Sequence, residues 1–160
     1  MKSAAWTSLL SAALSAVFVT SAQGQARQLP DGGYTLFAGT ARAANFIVEN
    51  SKNRSGDRVR VTNYRVYVEA IPSPNGPIDQ ETTELEIDCA RRTQKVLGYS
   101  AFGPTGAWVA SFPAEAEREI EANDTWDFVA RIVCDGVRLP PDATVQGAAA
   151  ARRLGLARLG

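Results

Sequence analysis

Residues 58–71, RVRVTNYRVYVEAI, and residues 81–89, ETTELEIDC, decide the fold. The first is rich in β-branched and aromatic residues, and the second alternates strictly between apolar and polar positions. Such alternation is typical of a half-buried antiparallel strand with one face in water. Residues 72–77, PSPNGP, must form a turn between them, because three prolines fix φ and remove backbone donors. The sequence therefore predicts an antiparallel hairpin.

The first strand of this hairpin changes the parity of its apolar positions. Val59 and Val61 lie on one parity, whereas Tyr64 and the valines after it lie on the other. A regular strand with one buried face keeps one parity, so the change predicts a β-bulge near Thr62 and Asn63.

The same pattern predicts a register and a contact surface. The expected cross-strand pairs are Val66 with Leu85, Tyr64 with Ile87, and Arg65 with Glu86. The last pair would place opposite charges side by side on the solvent-facing side of the hairpin. With Val66 directed inward, Tyr67 points outward, so Tyr67 and Arg65 form the candidate contact surface.

Strands and one helix complete the predicted fold. The other strand candidates are residues 34–40, 45–49, 94–102 and 107–112. Trp126, Val129, Ala130 and Val133 follow a capping Asn123 or Asp124 at helical spacing, and Gly136 stands just past the helix end. We predict an α+β fold: an antiparallel five- to six-stranded meander sheet with a C-terminal helix packed on one face.

The first residues read as a signal peptide rather than as part of the fold. Lys2 precedes an uncharged apolar run over residues 4–19, and small residues follow it. Cleavage is expected after Ala22, Gly24 or Ala26. We assign residues 1–24 to the signal peptide, and residues 25–136 to a single domain made of the sheet and its closing helix. The protein is expected to be exported from a bacterial cell, to the periplasm, the cell surface or the medium.

Cys89 and Cys134 are the two cysteines of the chain. In an exported protein this count favours a single disulfide. The rival interpretation, a redox-active thiol, calls for a C-x-x-C motif or a visible cause of a low pKa, and the sequence offers neither. We expect the bond to join a strand end to the end of the helix.

The last segment, residues 137–160, differs in composition from the rest. It is rich in alanine and arginine, and four arginines against one aspartate give it a charge of +3. This composition predicts a flexible tail. An alternative function for it is peripheral contact of residues 138–160 with anionic lipid.

Composition excludes several classes of protein. The chain has 17 Lys and Arg, 17 Asp and Glu, and no His. A chain without His cannot form a Ser-His-Asp site, two cysteines are too few for a zinc cage, and balanced charge gives no global basic field for nucleic acid. Basic residues at 52–65 are offset by acidic residues on the neighbouring strand. We therefore predict a non-enzymatic protein with no cofactor, metal or nucleic-acid partner.

Three stretches resemble a known family. They are FIVENSKNRSGDRVRV at residues 46–61, ELEIDCARRTQKVLGYSAF at residues 84–102, and WDFVARIVC at residues 126–134. The pattern resembles the small exported proteobacterial proteins of the surface-adhesin protein E type. That resemblance implies an antiparallel sheet covered on one side by a helix and, in the pathogen members, binding to host extracellular-matrix proteins. The chain departs from the family in lacking a lipobox cysteine and in carrying Leu85 in place of an aromatic residue.

Two functions from different classes follow from these observations. The leading hypothesis is an adhesin-like module that binds a host matrix or envelope protein through a sheet face or edge. The alternative is a structural periplasmic protein associated with the envelope, whose basic tail contacts lipid. Because exposed strand edges invite pairing, a homodimer is also expected.

Overall fold

The computed structural model describes residues 27–159, so the predicted signal peptide lies outside the described residues. These residues form one antiparallel sheet and two helices. The strands are β1 Gly33–Gly39, β2 Ala43–Val48, β3 Asn53–Ser55, β4 Arg58–Ile71, β5 Ile78–Asp88, β6 Thr93–Phe102, β7 Trp108–Phe112, β8 Arg118–Glu119 and β9 Thr144–Gln146. The helices are α1 Thr125–Val133 and α2 Ala148–Leu159.

The strand order is β7-β6-β5-β4-β2-β1-β9, with β3 beside β4 and β8 beside β6. The predicted fold class is confirmed: a mostly antiparallel, open sheet, a C-terminal helix and one disulfide between Cys89 and Cys134. The described sheet has nine strands rather than five or six, because the short strands β3, β8 and β9 join the six that were predicted.

The predicted hairpin is formed by β4 and β5, but its expected register is wrong. Val61 lies opposite Leu85, and Arg65 lies opposite Glu81 rather than Glu86. Strand β5 already begins at Ile78, directly after the last proline, and residues 67–70 of β4 bulge out opposite Asp79 alone. The bulge at the hairpin tip and the early start of β5 together shift every pair.

The expected bulge near Thr62 and Asn63 is also wrong, because the ladder between β4 and β5 is continuous from Arg58 to Val66. The parity change has another cause. Val61 belongs to the cluster of apolar residues beneath α1, whereas Tyr64 and Val66 belong to the cluster beneath α2. The two helices cover opposite faces at different points along the same strand. Odd-numbered residues of β4 are therefore buried beneath α1, and even-numbered residues further along are buried beneath α2.

Strand β2 shows the same two-sided burial along its whole length, and all six of its residues are buried. Phe46 packs into the cluster beneath α2, and its neighbour Ile47 packs into the cluster beneath α1. A strand buried on both faces shows no alternation of apolar and polar residues, and AANFIV shows none: Asn45 is its one polar residue.

Residues 137–160 are not the flexible tail that their composition predicted. Within them, β9 pairs with β1, and α2 packs against β1, β2 and β4. A Cβ at Gly155 would lie 3.0 Å from the Ala44 Cβ atom, so glycine is what permits this close approach. Arg152 donates to the Asp79 carboxylate, with its Nη2 atom 2.6 Å from Oδ2. Small residues, three partly buried leucines and an ion pair therefore attach a helix that has no pronounced apolar face.

Two tyrosines form the centre of the cluster beneath α2. The rings of Tyr34 and Tyr64 meet edge to face, with centroids 5.0 Å apart. The Tyr34 hydroxyl donates to the Pro30 carbonyl, and the Tyr64 hydroxyl donates to Gln80 Oε1 at 2.6 Å. Burial raises the pKa of Tyr34 to about 12, with Asp31 adding to the shift, and burial is also the main cause of the raised pKa of Tyr64.

These raised pKa values predict loss of stability at alkaline pH. A tyrosine whose pKa is higher in the folded than in the unfolded state stabilises the fold fully below the unfolded value, near 10. That stabilisation is lost as pH rises toward 12. We expect cooperative unfolding in this range, followed by circular dichroism together with tyrosinate absorbance. Tyr34→Phe should move the alkaline midpoint to higher pH, whereas the matched variant Tyr99→Phe should leave it unchanged. Reversible ionisation of all tyrosines near pH 10, without loss of structure, would contradict the expectation.

Candidate binding face of the sheet

Helix α1 covers only part of its face of the sheet. It packs over Ile47, Val61 and Leu85, near the disulfide. Because side chains alternate along each strand, the register places two further rows on the same face. The first of them starts at Ile47 beneath α1, and its member Tyr99 packs against the same cluster. One row runs Phe112, Tyr99, Thr83, Asn63, and the next runs Ala110, Ala101, Glu81, Arg65, Asn45. We call these two rows, together with Tyr67 of β4, the polar half-face.

Hydrogen bonds fix the side chains at the centre of the polar half-face. Arg65 Nε donates to Asn45 Oδ1 at 2.9 Å. The Tyr67 hydroxyl donates to Glu81 Oε2 at 3.0 Å, and the Thr83 hydroxyl donates to Glu81 Oε1 at 3.2 Å. Both oxygens of the Glu81 carboxylate are therefore held, so the network is ordered before any partner arrives.

The structure places the two predicted contact residues, Tyr67 and Arg65, side by side in this network. Tyr67 is half-buried rather than freely exposed. Burial raises the pKa of Tyr67, the Glu81 charge raises it further, and Arg65 acts in the opposite direction. Tyr67 consequently keeps its proton at neutral pH and serves as a hydrogen-bond donor.

Asn63 also lies on the polar half-face and is absent from the contact residues predicted from the sequence. It is fully buried, yet neither its Nδ2 nor its Oδ1 atom has a hydrogen-bond partner among residues 27–159. An unpaired buried amide costs free energy, and buried polar groups without a partner are rare in native proteins. The sequence does hold one indication of Asn63: it is a polar residue at the point where the apolar positions of β4 change from odd to even numbers.

The other end of the polar half-face is aromatic. The rings of Tyr99 and Phe112 meet edge to face with centroids 5.8 Å apart, and Phe112 is 46% exposed. Ala101 and Ala110 lie beside them in the next row. Phe112 belongs to β7, whose outer side has no strand partner in the described part of the chain. The expected homodimer through strand pairing stays a prediction.

Glu81 and Arg65 supply one carboxylate and one guanidinium, and the planar amide of Asn45 accepts from the latter. Among residues 27–159 no group of three or more Cys, Asp or Glu side chains is arranged to hold a metal ion. Nor does that part of the chain contain a helix with the length and hydropathy that crossing a membrane requires.

Comparison with solved structures places the sheet and its closing helix in a known fold. The fold is similar to that of Haemophilus influenzae protein E. Crystal form II of protein E matches with a TM-score of 0.54 at 13% identity, over 69% of this chain and 98% of protein E. A second structure of protein E matches with a TM-score of 0.48 at 12% identity, over 69% of this chain and 94% of that one. No protein-family model matches the chain, and no curated protein matches it.

At this identity the likeness to protein E concerns the fold alone. It confirms, at that level, the resemblance drawn from the three sequence stretches. The disulfide is consistent with an exported protein.

Proposed function

We propose that the chain is an exported, non-enzymatic, adhesin-like module that binds a protein partner through the polar half-face. The observation that carries the proposal is the pre-formed network of Arg65, Asn45, Tyr67 and Glu81 on a rigid sheet. Tyrosine and arginine are the residue types that most often dominate the binding energy of protein interfaces. A partner would meet the half-buried Arg65, Tyr67 and Glu81 already oriented, with the buried Asn45 holding the Arg65 side chain, and their ordering cost would be small.

The composition of the polar half-face also fits a protein partner. The exposed ring of Phe112 offers an apolar anchor at one end, and the oppositely charged Arg65 and Glu81 lie opposite each other on β4 and β5 in the middle. Opposite charges in one patch favour a partner with a mixed surface, rather than a polyanion such as nucleic acid. The resemblance to surface adhesins and the protein E-like fold support a host matrix or envelope protein as the partner.

The test is capture of an immobilised extracellular-matrix protein by the mature protein, measured by surface plasmon resonance. Tyr67→Ala and Arg65→Ala should each weaken binding by about tenfold or more, since both truncate central contact groups. Arg60→Ala is the matched control, because Arg60 is an exposed arginine of the same strand directed to the opposite face. It should bind like the unmodified protein.

Two results would overturn the proposal. One is the absence of saturable binding to any matrix or envelope protein in the panel. The other is an equal loss of binding for Arg60→Ala and Arg65→Ala, which would place the contact elsewhere. Thermal unfolding of each variant separates a lost contact from a lost fold.

A further inference from the structure

A second polar surface lies on the face of the sheet opposite the polar half-face. Thr82 of β5 pairs with Ser100 of β6, and each adjoins a residue of the polar half-face along its own strand. Because side chains alternate along a strand, Thr82 and Ser100 point to the other face. Helix α2 covers that face over Tyr64 and its neighbours, and a polar row continues from Tyr64 through Thr82, Ser100 and Ser111.

The segment before β1 crosses this face and forms one wall of a cleft. Arg27 reaches β6, where its Nη1 atom donates to the Ser100 hydroxyl at 3.1 Å, although β2, β4 and β5 lie between β6 and β1. The segment is held because Asn50 Nδ2 donates to the Asp31 carbonyl at 2.8 Å and Leu29 packs against the cluster beneath α2. The cleft has a volume of about 290 Å³, near the lower end for small-molecule sites.

The lining of the cleft is rich in hydroxyl groups and balanced in charge. Six of its eight lining residues are polar, and Thr62, Thr82 and Ser100 supply three hydroxyls. One carboxylate and one guanidinium, those of Glu84 and Arg27, lie 3.7 Å apart, and both side chains are more than half exposed. Without excess charge the cleft does not favour an ion, and its polar walls do not favour an apolar ligand. It fits a neutral ligand that carries hydroxyls, since a hydroxyl both donates and accepts.

An exposed indole ring adjoins the cleft. Trp108 of β7 is 44% exposed, and its Nε1 atom donates to the Ser111 hydroxyl at 3.1 Å. That hydroxyl lies 3.2 Å from the Ser100 hydroxyl, which accepts from Arg27 at the wall of the cleft. Phe102, the residue opposite Trp108 on β6, lines the cleft as well. The indole is therefore held in one orientation beside the cleft while much of its surface faces solvent.

We propose that the cleft and Trp108 together bind a short neutral oligosaccharide. One sugar ring lies in the cleft and exchanges hydrogen bonds with Thr62, Thr82 and Glu84. The next ring stacks on Trp108, because the electron-rich face of an indole attracts the weakly positive C–H groups of a sugar. Strands β5 and β7 lie about 10 Å apart at the usual strand spacing, which suits two linked rings. The proposal does not depend on the polar half-face, which lies on the other side of the sheet.

The test is isothermal titration of the mature protein with four neutral disaccharides: maltose, cellobiose, lactose and N,N′-diacetylchitobiose. At least one should bind, and Trp108→Ala should weaken that binding about tenfold or more, as expected for a central tryptophan contact. Trp108→Phe should recover part of the loss, because it keeps a flat aromatic ring. Phe128→Ala is the matched control, since Phe128 is an aromatic residue of α1 with a similar exposure of 39%. It should bind like the unmodified protein.

The cleft itself is checked by a second variant and by spectroscopy. Thr82→Val removes one hydroxyl from the lining and should weaken binding about fivefold, the usual worth of one hydrogen bond. Thermal unfolding of each variant shows that the fold is intact. In ¹⁵N spectra the sugar should shift the indole N–H signal of Trp108 and the amide signals of Thr82 and Ser100. The indole signal of Trp126 and the amide signals of the polar half-face should stay in place.

Three results would each overturn the proposal. One is the absence of binding by all four disaccharides. Another is an equal loss of binding for Trp108→Ala and Phe128→Ala. The third is a set of shifted signals that lies on the polar half-face, which would place the sugar there and exclude this cleft. Capture of a matrix protein through Tyr67 and Arg65 is measured independently, so the proposed function can stand when the sugar site fails.

Discussion

Replacing both cysteines, Cys89→Ser with Cys134→Ser, is expected to lower the free energy of unfolding by about 4 kcal/mol. The bond closes a loop of 45 residues, and opening that loop returns conformational freedom to the unfolded chain. The loss should be measured by urea denaturation of the oxidised protein and of the variant. Reductant should destabilise the unmodified protein to the same extent and leave the variant unaffected.

The effect should be concentrated in α1, because this helix spans only nine residues and cannot be stable alone. Its N-cap is good, since Asp124 Oδ1 accepts from the Asp127 N–H at 2.7 Å, but a cap contributes only about 1 kcal/mol. Hydrogen exchange of the amides of Val129 and Ala130 should rise more than that of β2. A change in unfolding free energy below about 1 kcal/mol would show that packing alone holds α1.

The second large effect is expected at the ion pair that attaches α2 to the sheet. Arg152→Met should lower the free energy of unfolding by about 3 kcal/mol, because it leaves the Asp79 carboxylate buried without its cation. The Asp79 side chain is only 4% exposed, whereas Arg152 is 31% exposed, so the low end of the usual range applies. Thermal and urea unfolding measure the loss.

Two further variants make this prediction specific. Arg153→Met changes the neighbouring exposed arginine of α2 and should alter stability little. The double variant Asp79→Asn with Arg152→Met should recover much of the loss, since it removes the unpaired charge as well. Equal effects of Arg152→Met and Arg153→Met would mean that the buried pair does not hold α2 in place.

The parts of the fold that local patterns encode could be predicted from the sequence. The alternation of residues 81–89 and the helical spacing from Trp126 to Val133 are signals within single elements, and both elements form. Helix α2 gives no such signal, because its apolar residues do not form one stripe: the buried Ala151 and Gly155 dock together with the partly buried Leu154, Leu156 and Leu159. Only the shape of the surface it covers explains the tight fit at Gly155, where a Cβ would lie 3.0 Å from the Ala44 Cβ atom.

The candidate site, too, could be predicted only where a pattern within one strand defines it. Parity along β4 places Tyr67 and Arg65 together on one face, and this needs no knowledge of neighbouring strands. Their partners, Asn45 and Glu81, depend on the strand register. That register is set by a bulge at the hairpin tip, which no local sequence pattern indicates. The burial of Asn63 could not be predicted from the sequence, because it comes from packing across the sheet.

The pairing of β9 with β1 also bears on how the chain reaches its native state during synthesis. Thr35 and Thr144 are 109 residues apart, yet their hydroxyl groups lie 2.8 Å from each other, and the Gly147 N–H donates to the Gly32 carbonyl. One face of the sheet thus stays uncovered until α2 has been made. Pairing of such distant segments is slow, so a nascent chain remains open until residues 144–159 have been made.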